Sequence, residues 1–115
     1  LSESPVLPTT NERVSELFKR RRAALGNPSL RLFAYALNKR LPEKLRFGGR
    51  QALSNWLRGV GEYGPDKYKL FQICEATPDD SEERIFALDL LEVVSPELAE
   101  RARKRLPMFD YTEQS

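Results

Sequence analysis

Gly48-Gly49-Arg50-Gln51-Ala52-Leu53-Ser54-Asn55-Trp56-Leu57-Arg58-Gly59 is one short helical run held between glycines. Leu53, Trp56, Leu57 and Val60 lie three, four and seven residues apart, so the spacing predicts one shared apolar face. Arg50, Gln51, Ser54, Asn55 and Arg58 fall on the other faces. Arg makes paired hydrogen bonds to guanine edges, and Asn or Gln to adenine. A helix with an aromatic anchor on one side and such side chains on the other suits the major groove of a duplex. The same pattern also describes an ordinary surface helix, so its surroundings decide between the two.

Upstream, the connection Lys39 to Gly49 carries Lys39, Arg40, Lys44 and Arg46 against the single acid Glu43. Pro42 argues against continuous helix there, while Leu41, Leu45 and Phe47 predict a short packed turn. Before it, Asn27-Pro28-Ser29 is a turn with Ser29 as the cap of a second helix. Leu30, Phe33, Ala34 and Leu37 keep helical spacing, and the small Ala34 permits close crossing by another helix. The first helix is expected to be capped by Thr10 or Asn11 and ended by Gly26, with Val14, Leu17, Phe18 and Leu25 as its buried stripe. Its basic run Lys19 to Arg22 serves either phosphate contacts or the helix dipole.

Downstream, Pro65 suits the first position of a fourth helix bearing Tyr68, Phe71 and Cys74. The break Thr77 to Ser81 caps a fifth helix, apolar over more than one face through Ile85, Phe86, Leu88, Leu90, Leu91, Val93 and Val94. Ser95-Pro96 opens a sixth helix with Leu98, Ala99, Ala102 and Leu106 as a narrow stripe, stopped by Pro107. No strand pattern or internal repeat is present, which makes the expected class all-α, a bundle of five to six helices. The expected layout is an arm at 1–10, a helical domain at 11–94, and a C-terminal helix and tail at 95–115.

Composition narrows the function classes. With no histidine and one cysteine, the chain has no internal disulfide and no His-based triad, and Cys/His zinc within one chain is excluded. Cys74 reads as a small core residue, and a lone thiol suits a reducing cytoplasm. No cofactor motif, metal set or nucleophile elbow appears, so an enzyme is disfavoured. No apolar run approaches the ~20 residues that span a bilayer. Residues 1–70 hold fourteen Lys and Arg against six Asp and Glu, a balance of +8; residues 71–115 hold five against eleven, a balance of −6. The two halves make up the net charge of +2, and a basic half beside an acidic one points to one side that faces a polyanion.

From Ser29 to Gly59 the chain resembles the phage-repressor, Cro-like helix-turn-helix proteins. Ser29-Leu30-Arg31-Leu32-Phe33-Ala34-Tyr35-Ala36-Leu37-Asn38 is similar to their second helix, and Arg50 to Gly59 to the end of their recognition helix. Gly64 to Cys74 resembles the helix that packs beneath. The connection departs from the family, whose turn is about four residues. The resemblance implies a lambda-repressor-like fold and a homodimer that binds operator DNA and regulates transcription. It implies Arg50, Gln51 and Asn55 as base readers, with Leu53 and Trp56 in the core. Phosphate contacts are expected from Lys39, Arg40, Lys44, Arg46, Ser54 and Arg58, with Arg20, Arg21 and Arg22 as weaker candidates. A protein-interaction adaptor on the same fold, docking a partner through the acidic half, is the alternative.

Overall fold

The structure, a computed structural model, describes residues 9–60 and 65–108. Six helices make it all-α over these residues: α1 Thr10–Ala24, α2 Leu30–Asn38, α3 Arg50–Arg58, α4 Lys67–Ala76, α5 Glu82–Val94 and α6 Pro96–Arg103. One turn of tighter 3-10 helix, Glu43–Leu45, interrupts the connection from α2 to α3. Most of the expected arm, residues 1–8, and most of the tail lie outside the described residues.

Local chemistry sets the boundaries. The hydroxyls of Thr9, Ser29, Ser81 and Ser95 accept from backbone N–H groups in the first turns of α1, α2, α5 and α6. The cap of α1 is thus Thr9, one residue before the expected Thr10 or Asn11. At α4 the Asp66 carboxylate is the cap, so Pro65 precedes the helix instead of opening it. An Asp side chain satisfies an orphan N–H directly, and that outranks the backbone preference of proline. The last helix ends at Arg103, ahead of the expected stop at Pro107, with Arg105 in a left-handed conformation (φ 57°).

One core joins all six helices and the connection. At its centre Phe18 of α1 is wholly buried, with Trp56 stacked on it at 5.0 Å between ring centroids. Phe86 of α5 meets it edge-on at 5.1 Å and Phe47 at 6.1 Å. Trp56, expected in the core, is only half-buried, so the anchor of α3 is shared with Phe18. Leu25, Val60, Tyr68, Ile85 and Leu106, all placed on apolar stripes by spacing, are exposed. Four of these sit at or beyond the ends of their helices or in a first turn, where the facing helix no longer covers them. The breadth of apolar surface on α5 has an intrachain reason: α1, α4 and α6 all pack against it.

The C-terminal end of α4 is fastened by arginines. Arg84, buried, donates to the Ala102 carbonyl at 3.0 Å, and its Nε lies 3.7 Å from Asp79 Oδ1, an ion-pair distance too long for a hydrogen bond. Arg105 folds back to the Cys74 and Thr77 carbonyls and pairs with Asp79. Hydrogen bonding from Arg105, then its charge, holds the Asp79 carboxyl below its ordinary value. A carboxylate whose pKa is lowered by folding stabilises the fold above its unfolded pKa and loses that contribution as pH falls through the folded value. The stability difference between wild type and Arg105→Met is therefore expected to be full at neutral pH and to shrink below about pH 4. Urea midpoints measured across pH check this, and a difference that stays constant to pH 2 contradicts it.

Candidate nucleic-acid interface

α3 is fixed to the fold at both ends. At its start, a Cβ on Gly48 would stand 2.7 Å from the Ala52 Cβ, so only glycine lets the chain enter this close to the helix. Gly49 caps α3 without a side-chain bond to the first-turn N–H groups. At its end, Gly59 adopts φ 69°, and Val60 N–H reaches back to the Asn55 carbonyl at 3.0 Å. The buried Ser15 hydroxyl of α1 donates to the Leu57 carbonyl at 2.6 Å. Leu53 and Leu57 point into the core between α1 and α2.

The outward face carries the expected base readers. Arg50 and Gln51 are exposed, and Asn55 is half-buried. Asn55 Oδ1 accepts from Gln51 Nε2 at 3.1 Å and from Arg58 at 3.0 Å, while Arg58 Nε also meets the Ser54 carbonyl at 3.4 Å. Gln51, Asn55 and Arg58 therefore form one linked row, with the Asn55 amide N–H groups left to donate outward. Arg50 stands at the head of this row.

The connection is a built element. Asn38, the last residue of α2, donates through Nδ2 to the Phe47 carbonyl at 3.2 Å and accepts from Phe47 N–H at 2.7 Å. Leu41, Leu45 and Phe47 are buried beneath it, as the packed turn requires. Lys39, Lys44 and Arg46 stay exposed, the last with Nε 3.4 Å from the Leu41 carbonyl. Arg40, two residues past the end of α2, lies 3.8 Å from Glu83 of α5, an ion pair whose cation is exposed.

The basic run of α1 does not join this face as a set. Arg21 pairs with Glu82 at 2.9 Å, and this hydrogen bond lowers the Glu82 pKa. Arg22 donates to the Pro28 carbonyl at 2.8 Å, and Arg20 reaches Glu16 at 3.5 Å. Arg21 and Arg22 thus serve the fold. Sequence reasoning passed over Asn38, whose bonds span nine residues, beyond the local patterns that asparagine makes near its own position. It also passed over Arg31, an exposed cation on α2.

Among the described residues no group of three or more His, Cys, Asp or Glu is placed to share a metal ion, and no helix is long and apolar enough to cross a membrane. Compared with protein-family models, curated proteins and solved structures, the chain matches none.

Proposed function

We propose that this protein binds double-stranded DNA with sequence preference, as a lambda-repressor-like regulator of transcription acting on the nucleoid in the cytoplasm. The observation that carries the reading is the outward row Arg50, Gln51, Asn55 and Arg58 on a helix fixed at both ends. A groove-reading helix must hold its side chains in register, and the Ser15 bond, the two glycines and the Leu53–Leu57 anchor all serve that end. In this reading α3 enters the major groove, with Arg50, Gln51 and Asn55 on base edges. Lys39, Lys44, Arg46, Arg58 and the half-buried Ser54 meet phosphates, and Arg40 joins them by releasing Glu83. A homodimer on a two-fold operator completes the proposal. Its interface would use the exposed Ile85 of α5.

The test is binding to mixed-sequence DNA over a salt series. Affinity is expected to fall steeply with salt, with a slope that counts neutralised phosphates. Lys44→Ala is expected to weaken all sequences alike and to flatten that slope by about one unit. Absence of binding at low salt overturns the reading. An adaptor role is favoured by one observation, which lies on α2 in the basic half and not on the acidic half expected to dock a partner: the exposure of Leu32 (59%) and Tyr35 (68%), a surface suited to a protein partner. No DNA binding at any salt, together with capture of a partner that Tyr35→Ser abolishes, would favour that role.

A further inference from the structure

Behind α3 lies a half-open cavity of about 250 Å³, walled by Phe47, Ala52 and Trp56 on one side and by Leu70 and Ile73 of α4 on the other, with Pro65 and Asp66 at its rim. Trp56, half-buried, borders this space. The pocket opens to solvent on the side of Asp66, so a ring entering it displaces water from an apolar lining, and its volume exceeds the about 150 Å³ with which an enclosed apolar cavity already takes up benzene. Lys69 also lines it, half-buried, with no ion pair or hydrogen bond among the described residues. Among the described lining residues the one acid is Asp66, whose Oδ1 accepts from the Tyr68 N–H at 3.0 Å as the cap of α4.

We propose that this cavity is a binding site for a flat, apolar molecule of one or two fused rings that carries a carboxylate, with Lys69 as its counter-charge. The aromatic walls accept a ring by stacking or edge contact. An ammonium held on an apolar wall pairs with an anion more strongly than one in open water. The ligand completes the burial of Trp56 and lies against the underside of α3.

Trp56 is the sole tryptophan of the chain, which makes it a reporter in the intact protein. Indane-2-carboxylate and its neutral amide, titrated separately, are expected to change Trp56 emission saturably. The carboxylate should bind about tenfold more tightly than the amide, the equivalent of one charge-assisted hydrogen bond. Lys69→Met should erase that difference while leaving the amide unchanged. Ala52→Leu, which fills the space, should abolish binding of both with helical circular dichroism retained. Should Ala52→Leu unfold the protein, the Lys69→Met comparison decides alone. A non-saturating change equal for both ligands, or a carboxylate preference that survives Lys69→Met, overturns the proposal. Neither outcome depends on DNA binding, so failure here and failure of the DNA reading are separate results.

Discussion

Phe18→Ala is expected to destabilise the fold by about 3–5 kcal/mol, the cost of deleting a fully buried aromatic ring. The size follows from position. Phe18 is wholly buried and touches three other rings, one from α3, one from α5 and one from the connection. Deleting it opens a cavity where four parts of the chain meet, and the rings left behind lose contacts worth about 0.5–1.5 kcal/mol each beyond area burial. Against a total stability of about 5–15 kcal/mol this is a large fraction. Urea denaturation measures the loss, and Trp56 emission should shift to the red as its stacking partner disappears. A loss below about 1 kcal/mol would show that the rings do not meet as described.

The second large effect belongs to the proposed DNA interface. Arg50→Ala is expected to reduce affinity for the preferred DNA site by about 1–3 kcal/mol, roughly five- to 150-fold, and to blur preference at one base position. Arg50 is exposed, so the variant should keep wild-type helicity and unfolding midpoint. Selection from a random duplex pool, followed by titration of the selected site, supplies both readouts. Unchanged affinity and preference would remove Arg50 from the groove. Asn55→Ala has a compound effect, because Asn55 holds both Gln51 and Arg58. Its loss is expected to relax preference over more than one base position.

Much of the architecture was legible because caps and breakers act locally. Ser29, Ser81 and Ser95 are read from one residue and its neighbours, and each caps the expected helix. Gly59 ends α3 for an equally local reason. Burial was less legible, since periodicity shows which residues share a face but not whether another helix extends far enough to cover it. Leu25 and Val60 keep the right spacing and still reach solvent at helix ends. The outward placement of Arg50 and Gln51 could be read from spacing alone. The pairing of Arg21 with Glu82 could not, because it joins residues sixty-one apart that meet only once α1 lies on α5. The arginines around Asp79 were hidden for the same reason.

The clamp of Asn38 on Phe47 reaches beyond recognition of any ligand. Lys39, Arg40, Lys44 and Arg46 offer four trypsin sites within eight exposed-looking residues, yet a protease cleft needs a strand of chain pulled free of its support. Leu41, Leu45 and Phe47 must leave the core before that can happen. Brief tryptic digestion of the folded protein is therefore expected to spare this segment, and Asn38→Ala to make it the first place cut.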